Sequence, residues 1–148
     1  MIIIVFIQSC GPRSGIHEEN SDTSSGKQFI CGNAVRESEN FKRVESLNLN
    51  GDPYNGKKLF KQNCAVCHSM TDQKLTGPGL AGVYDRVPQP AEEYLIKFIS
   101  NNNKVILSGD PYANLVYKKY GTGMMIFDTI LSEKEIKDII AYMVGASY

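Results

Sequence analysis

The pentapeptide Cys64-Ala-Val-Cys67-His68 places two thiols and an imidazole in one short stretch, and three chemistries use that spacing. In a haem site the thiols add across two vinyl groups of the porphyrin, and the adjacent His, held by those thioethers, ligates the iron. A zinc site needs a second pair of ligands at comparable spacing, and the chain offers only His17, Cys10 and Cys31, far upstream. A thioredoxin-like dithiol follows a strand in a βαβ unit, whereas this motif follows a helical pattern. Ligand supply favours haem. An electron-transferring haem iron commonly takes a thioether on its other face, which favours the softer ferrous ion. Of the five methionines, Met1 belongs to an N-terminal apolar run and Met70, two residues past His68, cannot reach the opposite face. Met143 falls on the apolar stripe of a helix, which leaves Met124 and Met125.

The elements that must position these residues are helical. Asp52-Pro53 places a cap residue before Pro at the first turn, and Gly56, Phe60 and Cys64 then recur every four residues on one face. Residues 70–90, rich in Gly, Pro and Thr, read as loop. Tyr94, Leu95, Phe98 and Ile99 predict a helix over 91–102, and Asp110-Pro111 opens another that Gly121-Thr-Gly123 stops. Ser132-Glu-Lys-Glu135 is a capping box for a terminal helix whose apolar face is Ile136, Ile139, Ile140 and Met143. Gly56 and Phe60 are expected to meet Ile139 and Tyr142 where the first and last helices cross, since Gly permits close approach.

Upstream, Met1-Ile-Ile-Ile-Val-Phe-Ile-Gln-Ser is too short to span a bilayer and ends at Cys10-Gly11, which resembles a bacterial lipoprotein signal with Cys10 as the lipidated residue. No Lys or Arg precedes the apolar run, so the basic start of such a signal is missing. Residues 10–48, polar and Ser/Asn/Glu-rich, predict a flexible tether of root-mean-square span roughly 30 Å. Cys31 within it has no neighbour that would make it a ligand, and His17 has no companion. With 148 residues, 42% apolar and 22% charged, the chain has room for one ordinary domain, expected over 49–148. Sixteen Lys+Arg balance sixteen Asp+Glu, so no basic surplus suits a nucleic-acid partner. Lys57, Lys58 and Lys61 read as a solvated helix face, with a docking patch for an acidic partner as the alternative.

From about Leu49 to Tyr148 the chain resembles the class I c-type cytochromes, on Gly56, Phe60, Cys64, Cys67 and His68 of the first helix and attachment motif. Gly77-Pro78 is similar to the family segment whose Pro carbonyl accepts a hydrogen bond from the proximal His. Met125-Ile-Phe127 is similar to the family's axial Met segment, and the family interval from that Met to a Tyr of the last helix is kept between Met125 and Tyr142. Met124 gives one residue too many. Where many bacterial relatives have Pro after the axial Met, this chain has Ile126.

The resemblance implies an all-α cytochrome c fold, about five helices around one covalently attached haem c, preceded by a disordered tether. Cys64 and Cys67 would carry the haem, His68 and Met125 (alternatively Met124) would be its axial ligands, and Pro78 would orient His68. The implied function is one-electron transfer without catalysis, between redox proteins such as a respiratory complex, oxidase or dehydrogenase. Lipid on Cys10 would hold the domain to the periplasmic side of a bacterial membrane. A dedicated haem subunit of a periplasmic dehydrogenase or oxidase is the alternative, and an open-site, ligand-binding haem is a third reading.

Overall fold

The computed structural model describes residues 41–121 and 123–147. Among them are six helices and no strand: α1 (Lys42–Ser46), α2 (Pro53–Asn63), α3 (Val83–Arg86), α4 (Ala91–Leu107), α5 (Pro111–Tyr120) and α6 (Glu133–Ala146). The signal-like segment, Cys10, His17 and Cys31 lie outside the described residues.

Helices α2 and α6 form the frame, and both begin where the sequence caps them. The Asp52 carboxylate accepts from the backbone N–H of Tyr54 (2.9 Å) and Asn55 (3.3 Å), satisfying donors that the first turn leaves free. Ser132 and Glu135 make the reciprocal capping box of α6. The two helices cross at Gly56, where an added Cβ would fall on the backbone carbonyl of Asp138, so any larger residue would push the helices apart. One turn on, the rings of Phe60 and Tyr142 lie 5.4 Å apart, as the periodicity predicts. Ile136, Ile139, Ile140 and Val144 of α6 are at most 2% exposed and form the centre of the core.

Asp138 is also fully buried, among these apolar neighbours, and its environment explains how a carboxylate is tolerated there. It accepts from Asp52 N (2.8 Å), Asn55 Nδ2 (2.8 Å) and Lys134 Nζ (3.0 Å), tying the start of α2 to the middle of α6. Burial pushes its pKa up, but the Asn55, Asp52 and Lys134 hydrogen bonds together outweigh that and hold it below the ordinary carboxylate value.

Three elements differ from the sequence expectation. The ordered domain starts before Leu49: α1 buries Val44 (5% exposed) in the core, and Arg43 pairs with Asp85 at 2.5 Å. With only Phe41, Val44 and Leu47 at its ends and centre, α1 is too short for a sustained apolar period. The stretch read as loop over 70–90 contains α3, one turn that buries Val83. Helix α4 continues five residues past the expected Asn102 to Leu107, through a break at Asn101 (φ −155°, ψ 85°).

Candidate functional site

Helix α2 ends at Cys64, whose N–H still donates to Phe60 O (2.8 Å), and the motif turns back on itself through Cys67 N to Cys64 O (3.0 Å) and His68 N to Cys64 O (2.9 Å). Both thiols and the imidazole are thereby held at the mouth of a cavity, half-buried. Burial, aided by the neighbouring Cys67, pushes the Cys64 thiol up to about 11, opposite in direction to the lowered pKa of an activated dithiol. Among the described residues no group of three or more His, Cys, Asp and Glu could hold a metal ion alone.

His68 Nδ1 lies 2.9 Å from the backbone oxygen of Pro78. A Pro carbonyl can only accept, so Nδ1 carries the proton and Nε2 keeps its lone pair for a metal. The Pro78 segment is held in turn: Gly77 N donates to Cys67 O (2.8 Å), and Leu80 N donates to Ser69 O (2.9 Å). An added Cβ at Gly77 would sit 2.5 Å from His68 Cε1 and 2.8 Å from Nδ1, so only glycine lets the imidazole pass this close to the loop.

The cavity in front of His68 has a lobe of about 660 Å³ walled by Phe60, Leu95, Ile99, Ile139 and Met143. A second lobe of about 220 Å³ lies beside it, reaching Cys67 and Thr76 on one side and Met125 on the other. Cys64, His68, Pro78, Phe98, Met124 and Phe127 line both, so the lobes form one apolar slot between the Cys motif and the methionine loop. Of the two methionines, Met124 is half-buried against the core and lines both lobes, whereas Met125 is 58% exposed and lines only the smaller one.

Two features of the wall were not expected from sequence. Arg86 of α3 donates to the carbonyls of Gly79 and Ala81, stitching the loop that carries Pro78 while its side chain borders the larger lobe. Tyr120 stands between the ammonium groups of Lys74 and Lys119, each 5.4 Å from its ring centre, closing the slot where α5 meets the loop after His68. The Tyr117-Lys118-Lys119-Tyr120 run at the helix end carries no such signal, because the third partner, Lys74, comes from a distant loop.

An apolar slot with two thiols and an imidazole at one wall and a thioether at the other fits a flat, covalently held haem, and the bare Gly77 leaves the ring face of His68 free to be seated. The fold and the site thus define a small all-helical haem module. The chain belongs to the cytochrome c family, whose model matches residues 54–147. It is 34% identical over 102 residues to the cytochrome c of Theileria annulata, covering 66% of this chain and 88% of that protein. It is 32% identical over 103 residues to that of Ginkgo biloba, covering 66% and 90%. The solved structure of cytochrome c from Rhodothermus marinus superposes with a TM-score of 0.55 at 25% identity, covering 85% of this chain and 86% of that one. The family carries covalently attached haem c and transfers electrons with it, and one haem suits a domain of this size.

Proposed function

We propose that this protein is a one-electron carrier whose single haem is bound through Cys64 and Cys67 and ligated by His68 and a methionine thioether. When bound, the haem supplies the iron couple that accepts and releases the electron. The chain's residues do the rest. Pro78 fixes the tautomer and orientation of His68, the apolar walls exclude water, and a methionine thioether would favour the reduced state of the bound iron. The observation that carries the reading is His68, oriented by Pro78, sharing one apolar slot with the methionine loop.

The thioether is assigned between adjacent residues. The family interval to Tyr142 supports Met125, whereas burial along both lobes supports Met124. Both methionines line the slot, so either can reach it, and the kept interval to Tyr142 decides: Met125 is the proposed ligand, with Met124 as the alternative. Met125→Leu should abolish the long-wavelength thioether band of the ferric protein and lower the reduction potential, while Met124→Leu should preserve both. The reverse outcome moves the assignment to Met124, and survival of the band in both variants overturns methionine ligation.

Partners are redox proteins of the respiratory type, and the domain works outside the cytoplasm, tethered by lipid on Cys10. The motif of residues 7–10 supports the anchor, and among the described residues no helix is long and apolar enough to cross a membrane. Metabolic labelling with a fatty acid in a bacterial host should mark the wild type and not Cys10→Ala; label on both would remove the anchor. A dedicated dehydrogenase or oxidase subunit remains the alternative arrangement, distinguished by a complex that persists at high salt.

A further inference from the structure

The break in α4 has a consequence for the methionine loop. In an unbroken helix Ser100 O would accept from Lys104 N. At Asn101 the backbone turns extended, and the partners exchange. Lys104 N donates instead to Asn101 Oδ1 (3.1 Å), so the Asn101 side chain caps the second half of the helix. The freed Ser100 O accepts from Phe127 N (2.9 Å). Because Oδ1 takes the backbone N–H, the other end of the amide is a donor, and Asn101 Nδ2 reaches Asp128 Oδ2 at 2.9 Å. Asn101 is 9% exposed, whereas Asp128 is an exposed residue, so the bond is shielded from water on the helix side only. Lys104 Nζ meets the same oxygen at 3.2 Å but its side chain is 76% exposed, so that ion pair contributes little. Asn101, then Lys104, hold the Asp128 carboxyl below the ordinary carboxylate range.

The neighbouring asparagines border the same loop. Asn102, 3% exposed, lines the slot with both methionines, and a Cβ added at Gly123 would come 3.3 Å from Asn103 Oδ1. Residues 101–103 therefore meet the loop after the methionine pair, beneath it and before it.

We propose that Asn101 and Asp128 form a clasp that holds the methionine loop across the slot and sets how readily an outside ligand displaces its thioether from the haem iron. Asn101 is a positioning residue: it acts on the ligand through Asp128 and Phe127. The inference rests on thioether ligation by this loop. The exchange it governs breaks the iron–sulfur bond and forms an iron–nitrogen bond to the incoming ligand, with no change in oxidation state.

The probe is free imidazole, titrated into the full-length, haem-loaded ferric protein and followed by loss of the thioether band. Asn101→Asp keeps the oxygen that caps Lys104 N but sets a second carboxylate against Asp128, so it opens the clasp without removing the cap. It should raise imidazole affinity about tenfold, the loss expected for one charge-assisted hydrogen bond. Asp128→Ala, which leaves α4 untouched, should do the same, and Asp128→Asn, which keeps an acceptor for Asn101, should recover most of the wild-type value. Glu133→Gln, which breaks a surface ion pair on α6, should change nothing. The Phe127 amide should exchange with deuterium faster in Asn101→Asp and Asp128→Ala. Unchanged imidazole affinity and Phe127 exchange in both clasp variants, with the thioether band intact in the wild type, would overturn the clasp alone. A wild type without that band would overturn methionine ligation and the clasp with it.

Discussion

Replacing Gly77 by Ala tests whether the loop and His68 are as tightly matched as the distances imply. The new Cβ would stand 2.5 Å from Cε1, 2.8 Å from Nδ1 and 2.9 Å from Nε2 of the imidazole. Ordinary carbon contacts begin near 3.5–4.0 Å, so the ring or the loop must retreat by about 1 Å. The loop resists, because Gly77 N is bonded to Cys67 O at 2.8 Å and Gly77 O accepts from Leu75 N at 3.1 Å. The ring resists through Nδ1 and Pro78 O at 2.9 Å, which a 1 Å shift would break. Overpacking of this kind costs about 1–3 kcal/mol and the lost hydrogen bond about 1 kcal/mol, or roughly 2–4 kcal/mol together. For a domain near 100 residues that lowers the melting temperature by about 10 °C or more. Thermal melts of haem-loaded protein, with the Soret band recorded alongside, measure both stability and ligation. Gly82→Ala is the control: nothing lies within 4 Å of its Cβ, and only its φ of 61° penalises the change, by about 1 kcal/mol. A Gly77→Ala protein that melts within about 2 °C of wild type with an unshifted spectrum would refute the reasoning.

Further outcomes follow from the same structure. Asp138→Ala strips the acceptor from Asp52 N and Asn55 Nδ2 and should cost about 2–3 kcal/mol in urea unfolding; a loss under about 0.5 kcal/mol would show the buried carboxylate to be dispensable. Because the folded pKa of Asp138 is depressed, its stabilisation is fully present above the ordinary value of 3.8 and falls away as pH drops below it, so acid unfolding of wild type should be steeper below pH 3.8 than that of Asp138→Ala. Gly56→Ala, whose Cβ falls on the Asp138 carbonyl, should destabilise the α2–α6 crossing by about 1–3 kcal/mol, read from the same urea curves, and an unchanged midpoint would contradict the close crossing. Cys64→Ala or Cys67→Ala should sharply reduce covalent haem, measured as haem surviving denaturing electrophoresis, whereas Cys31→Ala should not.

The parts legible in the sequence are those written in local chemistry. Asp52-Pro53 and the Ser132–Glu135 box each encode a cap within one turn, the Gly56/Phe60 spacing marks a helix face able to pack closely, and the structure has them where they were expected. The Cys-x-x-Cys-His motif is legible for the same reason: its chemistry is contained in five neighbouring residues. What was missed depends on partners distant in the chain. Val44 is buried because α1 packs on α6. Asp138 reads as a polar residue on an apolar helix until Asp52 and Asn55, more than 80 residues away, supply its hydrogen bonds. Asn101 lies within a helical pattern, and its break is stabilised by Phe127 and Asp128 of a separate loop. The choice between Met124 and Met125 is one residue of loop register, which periodicity does not encode.

The most direct test of the account is a potentiometric titration of the purified full-length protein, followed by its visible spectrum. A carrier ligated by His68 and a thioether should give one reversible one-electron transition, with a low-spin six-coordinate spectrum in both oxidation states and no change when carbon monoxide is added to the reduced form. A high-spin reduced spectrum that shifts on addition of carbon monoxide would reveal an open iron site and contradict the electron-carrier account.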